Sequence, residues 1–254
     1  MKEQSNREVR RAFVTGASTG IGAATARRLA EDGYEVALAG RNADGLRAVK
    51  AQIESKGGRA QPVHLDLRDP GSISDAFTDA WSALGRCDAL VNCGGSTIRK
   101  PAIEISVDDW DEILNTNLRG SFLTSREFAR RLFAENERGS IVNVGSTHGL
   151  LGFANLSVYG ISKAGLHHMT RMLAIEWAEN GIRVNAVAPG ATETPSRAQV
   201  FRDPTTRKRL LERIPIRQFA AADDVAAAIS YLLSPQASVV TGHTLVLDGG
   251  LTVY

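Results

Sequence analysis

"VTGASTGIGAA", residues 14–24, places glycines at 16, 20 and 22, in the order G-x-x-x-G-x-G. The familiar dinucleotide fingerprint is G-x-G-x-x-G, so the spacing here is different. The stretch lies between a short apolar run, "AFVT", and a segment of helical period that starts near Ile21. In a βαβ unit this junction is where a phosphate docks. Glycines let the backbone approach, and the helix N-terminus presents free N–H groups and a positive dipole end. Gly22, Ala26 and Ala30 follow at four-residue intervals, a small-residue face suited to close packing on a sheet. A ligand-free strand–helix turn would use the same residues, so the loop alone leaves both readings open.

Outward from the loop, further apolar runs appear: "YEVALAG", "PVHLDL", "ALVN", "SIVNVGS", "IRVNAVA" and "TLVLDGG". Runs apolar on both faces suit a buried parallel sheet. The segments between them have helical period. In "DPGSISDAFTDAWSALG", Ile73, Phe77, Ala80, Trp81 and Leu84 form one stripe, with Asp69 placed to cap and Pro70 to open the helix. In "AADDVAAAISYLLS", Val225, Ile229 and Leu232 repeat the stripe. Alternation from end to end predicts an α/β fold, a single doubly wound Rossmann-type parallel sheet of about seven strands with helices on both faces. No linker, repeat or low-complexity tract divides the chain, so residues 1–254 read as one domain, with 1–10 a frayed polar arm.

Composition narrows the function classes. The chain is 43% hydrophobic and 23% charged, with a net charge of +2, which gives no general attraction to nucleic acid or to an anionic membrane. No run approaches membrane-spanning length. Cys87 and Cys93 have no metal-type or disulfide-framework spacing, which fits a reducing cytoplasm. His64, His148, His167, His168 and His243 show no paired metal spacing either, so no metal is expected.

"YGISK" sets Tyr159 and Lys163 four apart on a predicted helix, so they share a face. A phenol in water titrates near pH 10, too high for a base at neutral pH, and a neighbouring ammonium stabilises the phenolate. Ser146, in "IVNVGSTHG", precedes the tyrosine by thirteen residues and follows a strand candidate, where α/β ligands bind. Asn117, in "WDEILNTNLRG", falls among Trp110, Ile113, Leu114 and Leu118, which outline a helix's apolar side. Taken singly, each has a bland reading: a solvated lysine, a turn serine, a packing asparagine.

Together, "TGASTGIG", "YGISK" and these flanking residues resemble the short-chain dehydrogenase/reductase family over nearly the whole chain. The resemblance implies an NAD(P)-dependent alcohol dehydrogenase or ketone reductase, with Asn117, Ser146, Tyr159 and Lys163 catalytic. Ser146 and Tyr159 would also contact substrate, Asn117 would hold a water on the proton path, and His148 could line the pocket. Gly16, Ser18, Thr19, Gly20, Ile21 and Gly22 would form the cofactor loop, and Tyr159 and Lys163 would also meet the cofactor. "HLDL" would put Asp66 and Leu67 at the adenine. "DALVNCGG" matches N-N-A-G at Asn92, with Gly94 in place of alanine loosening the turn. "VAPGATET" would put Pro189, Gly190, Thr192 and Thr194 beside the nicotinamide. The family further implies a homotetramer. A 3-oxoacyl-[acyl-carrier-protein] reductase shares every motif, and a cofactor-sensing binding protein would keep the fold without turnover.

Two finer expectations concern specificity. After "YEVALAG", Gly40 stands where an acid would bind an NAD ribose, and Arg41 follows, with Asn42 and Ser18 as further donors for a 2′-phosphate. This predicts NADP over NAD, against Thr19 and Asp44, which favour NAD. "SRAQVFRDPTTRKRLLERIPIR" has seven basic residues against Asp203 and Glu212, within a substrate lid expected over 192–217. Arg207, Lys208 and Arg209 would attract an acidic substrate such as a sugar acid, or an acidic carrier protein. Alternatively they are a solvated helix face.

Overall fold

The computed structural model describes residues 9–195, 198 and 202–253; the expected arm lies almost wholly outside the described residues. Its strands are β1 (Arg11–Thr15), β2 (Glu35–Gly40), β3 (Ala60–His64), β4 (Ala89–Asn92), β5 (Gly139–Val144), β6 (Ile182–Pro189), β7 (Thr192–Glu193), β8 (Ala220–Ala221) and β9 (Thr244–Leu247). Seven form one sheet in the order β3-β2-β1-β4-β5-β6-β9, all parallel, while β7 and β8 make a separate two-stranded pair. Strand order reverses at β1 and β4, which opens a crevice at their carboxyl ends.

Residues of each strand feed two cores alternately. Phe13 and Leu90 join Phe77, Phe128 and Leu166 on one face, from α3 (Pro70–Leu84), α5 (Gly120–Glu135) and α6 (Ser157–Trp177). Ala12, Val14 and Val91 join Leu29, Leu46 and Ile229 on the other, from α1 (Gly20–Glu31), α2 (Ala43–Glu54) and α8 (Ala222–Leu233). This is why the strands read as continuously apolar. Asp69 caps α3 through its carboxylate, with Pro70 in the first turn. The same Asp-Pro device starts α7 (Pro204–Leu211), where Asp203 accepts from the Thr206 N–H.

Two predicted runs end early. β3 stops at His64, because the Asp66 carboxylate accepts the Arg68 N–H and turns the chain. β9 stops at Leu247, because Asp248 accepts the N–H groups of Gly250 and Thr252. The helix predicted around Asn117 is also different. α4 (Val107–Leu114) runs into one π-type turn, Asn115–Arg119, before α5. Trp110 does not join the core expected for it; it is 42% exposed, while Ile113 and Asn117 are buried.

A polar ladder crosses the first core. The Asn92 amide donates to Asn143 Oδ1 at 2.8 Å and to Ser125 Oγ at 2.9 Å, and Thr124 donates to Asn92 Oδ1. Asn143 Nδ2 donates in turn to Thr170 Oγ1 at 2.9 Å, on α6. All these groups are buried and partnered, as interior polar groups must be.

Candidate active site

The glycine loop folds as its spacing requires. Gly16 and Gly20 have φ of +67° and +55°, a backbone region that L side chains rarely occupy. A Cβ on Gly22 would stand 2.2 Å from the Gly16 carbonyl oxygen. Thr19 makes no side-chain cap to α1, and no acid stands in the helix's first turn, so the positive end faces the crevice unopposed. This cradle fits a pyrophosphate. Buried Ser96 Oγ and Thr147 Oγ1 lack a partner, which fits a polar ligand in the same crevice.

Across the crevice, Thr15 Oγ1 accepts the N–H groups of Cys93 and Gly94 at 3.0 and 2.9 Å. A Cβ on Gly94 would meet Leu67 Cδ1 at 2.7 Å. The turn expected to be loosened by Gly94 is therefore clamped and closely packed. Asn92 is 2% exposed and its side chain is engaged by the ladder, so the expected cofactor contact does not come from that side chain. Gly190 donates its N–H to Leu247 and Thr192 is buried with its hydroxyl on the Gly190 carbonyl; Pro189 ends β6 beside them. Thr194 lies against the loop: a Cβ on Gly20 would be 3.5 Å from Thr194 Cγ2.

At the end of β2, Asn42 caps α2 by accepting the Gly45 N–H, and a Cβ on Gly45 would touch both Ser18 and Asn42 Nδ2. Ser18, Asn42 and Arg41 thus lie together. Arg41 is exposed; its charge, with a two-pronged hydrogen-bonded pair from Arg68, holds the Asp66 carboxyl down at about 2, Arg68 having the larger effect. Asp44 is paired with Arg47 rather than facing a ribose alone.

The chemistry-bearing side chains gather at the carboxyl ends of β4 and β5. Lys163 is 5% exposed, donates to the Val144 carbonyl at 2.7 Å, and has its Nζ 5.8 Å from the Tyr159 ring centre. Ser146 Oγ lies 3.1 Å from His148 Nδ1 and accepts the His148 N–H. The His148 ring meets Tyr159 edge-on at 5.7 Å and stacks on Phe153 at 4.1 Å. Asn117 grips the segment after β4: Oδ1 accepts the Ser96 N–H, and Nδ2 donates to the Ser96 carbonyl and to Ser162 Oγ, one residue before Lys163. Both amide hydrogens are taken, so a water on the proton path is not held by them. The π-type turn is what turns Asn117 inward, a local widening often found at functional sites.

His167 was not expected in the site. It is 2% exposed, accepts the Ser146 N–H through Nε2 at 3.4 Å, and a Cβ on Gly145 would overlap it. Burial, followed by the charges of Lys163 and Arg171, pushes its imidazole down to about 4. Unfolded histidine takes up a proton below about pH 6.5, whereas the folded ring stays neutral until about 4. Stability is therefore full above pH 6.5 and falls as pH drops towards 4. Relative to His167→Gln, which keeps an acceptor but does not titrate, the wild type is expected to lose about 2 kcal/mol between pH 7 and 5. Urea unfolding at both pH values measures it; parallel losses in the two proteins would refute it.

A family profile described as enoyl-(acyl carrier protein) reductase matches residues 16–252. A 3beta-hydroxysteroid dehydrogenase from Eggerthella lenta is 38% identical, over 95% of this chain and 93% of its own. The chain is a short-chain dehydrogenase/reductase. A cis-4-hydroxycyclohexanecarboxylate dehydrogenase from Sinomonas cyclohexanicum is 41% identical, over 95% of this chain and 96% of its own. The crystal structure of a putative 2-deoxy-D-gluconate 3-dehydrogenase from Agrobacterium tumefaciens, with bound NADP, superposes with a TM-score of 0.91 at 38% identity, covering 100% of both chains. The protein is thus an NAD(P)-dependent oxidoreductase of this family, acting between a secondary alcohol and its ketone. No helix among the described residues is long and apolar enough to cross a membrane, and no metal-binding cluster occurs among them.

Proposed function

We propose that this short-chain dehydrogenase/reductase interconverts a secondary alcohol and a ketone on a small carboxylate-bearing substrate, with NADP as preferred cofactor. The observation that carries the proton chemistry is Lys163, buried and held by the Val144 carbonyl beneath the Tyr159 ring. Tyr159 takes the alcohol proton in oxidation and returns it in reduction. Lys163, on the same face of α6 as Tyr159, would hold the cofactor ribose. Ser146 Oγ orients the substrate oxygen. Asn117 is a positioning residue that fixes the Ser96 and Ser162 walls around Lys163 and supports the proton path. When bound, the cofactor supplies or accepts the hydride.

Gly16, Ser18, Thr19, Gly20, Ile21 and Gly22 cradle the pyrophosphate, with Pro189, Gly190, Thr192 and Thr194 closing the nicotinamide end. Asp66 and Leu67 serve the adenine. Residues 192–217 act as the cover, though 196, 197 and 199–201 lie outside the described residues. The carboxylate preference draws on the two relatives whose names specify acids, cis-4-hydroxycyclohexanecarboxylate and 2-deoxy-D-gluconate. The chain works as one domain in the cytoplasm and assembles as a homotetramer. Support for assembly comes from the apolar face of α4 to α6, where Trp110, Phe122 and Met172 are exposed beside a groove of about 550 Å³. Sedimentation equilibrium showing a monomer at micromolar concentration would remove it.

The cofactor preference rests on Arg41, exposed beside Ser18 and Asn42 with no acid at Gly40. Hydrogen bonds between charged groups contribute about 1.5–3 kcal/mol. Arg41→Ala is therefore expected to lower the NADP/NAD ratio of kcat/KM by about 10- to 100-fold. Initial rates with both cofactors check this; a wild type that prefers NAD, or a ratio unmoved by the substitution, rejects it.

A further inference from the structure

The rings beside the reacting phenol continue outward to a cation. Tyr159 meets His148, His148 stacks on Phe153 at 4.1 Å, and the Arg213 guanidinium carbon lies 5.3 Å from the Phe153 ring centre. Phe153 belongs to the loop between β5 and α6; Arg213 follows α7 on the covering segment. Three other basic groups of that segment are already engaged. Arg207 pairs with Glu193 at 3.0 Å, Lys208 faces Glu212 at 4.0 Å, and Arg217 donates to the carbonyls of Leu211 and Glu212. Arg213 has no carboxylate partner among the described residues; its neighbour is the ring of Phe153. Of Arg207, Lys208 and Arg209, expected to attract an acid, the first two are paired with carboxylates, and Arg213 lies about one helical turn further along the segment.

A guanidinium over an aromatic ring is held by the ring's negative face, while its planar fork of N–H donors stays available. That fork matches a carboxylate through two parallel hydrogen bonds. We propose that Arg213 binds the substrate's carboxylate, with Phe153 as its platform, and so selects alcohols whose acid group lies several bonds from the reacting carbon. This rests on the carboxylate reading above and names the residue that would enforce it.

The test uses the full chain with NADP and two probe substrates, cis-4-hydroxycyclohexanecarboxylate and its methyl ester. The wild type is expected to prefer the acid. Arg213→Gln should raise KM for the acid by 10- to 100-fold and leave kcat within about twofold, with the ester unaffected, since a charge-assisted pair contributes about 1.5–3 kcal/mol. Arg213→Lys should recover part of the loss. Equal losses for acid and ester would make Arg213 a mere support for Phe153 and overturn the assignment. An unchanged acid KM in Arg213→Gln, with the wild type still preferring the acid, would overturn it and leave the carboxylate reading standing. A wild type that turns over neither probe, or the ester as well as the acid, would defeat both.

Discussion

Tyr159→Phe is expected to lower kcat/KM by 10²- to 10⁴-fold, with cofactor affinity within about twofold of wild type. The substitution keeps the ring, so the edge-on contact with His148 and the ring above Lys163 persist. It removes the hydroxyl proposed to exchange a proton with substrate. General acid–base catalysis contributes a factor of this size. Fluorescence titration with NADPH separates the two quantities. Activity within about tenfold of wild type would show that another group, with Ser146 and His148 the nearest candidates, moves the proton.

Phe77→Ala carries the largest expected loss of stability. Phe77 is fully buried, stacks on Phe13 with centres 4.3 Å apart, and leans on Trp81 at 5.6 Å. Truncation removes the transfer energy of the ring and leaves a void between α3 and the sheet. Such changes cost about 3–5 kcal/mol. For a chain of this length that corresponds to a melting temperature lower by about 10 °C. Denaturant unfolding gives the number directly. A loss below about 1.5 kcal/mol would mean that Trp81 and Phe128 collapse into the space.

Much of this was legible in the residues. Strand runs apolar on both faces announced a covered parallel sheet, and the glycine triplet placed its crevice. Asp69-Pro70 marked a helix start to the residue. What the chain hid is of two kinds. Some side chains have partners distant in sequence: Asn92 reads as a cofactor ligand until Asn143 and Ser125 are seen to engage it. Likewise His167 looks like one of five unremarkable histidines until the Ser146 N–H is found on its ring. Others depend on local geometry that periodicity does not encode. The π-type turn is invisible in "NTNLR", and it makes Asn117 buried while Trp110 is left outside. The basic lid run was legible as charge, but not that Arg213 within it sits over an aromatic ring.

The amide ladder from Asn92 through Asn143 to Thr170 has a mechanical meaning for α6. Apolar contacts tolerate sliding and rolling, since one methyl group serves nearly as well as another. Hydrogen bonds prefer near-linear geometry and weaken steeply when bent. A roll of one residue turns an α-helix by about 100°, which would carry Thr170 away from Asn143 and strand a buried amide. The ladder therefore indexes α6 against the sheet as a keyway indexes a shaft. Tyr159 and Lys163, about three and two turns further up the same shaft, inherit their angular setting from a joint that touches neither substrate nor cofactor.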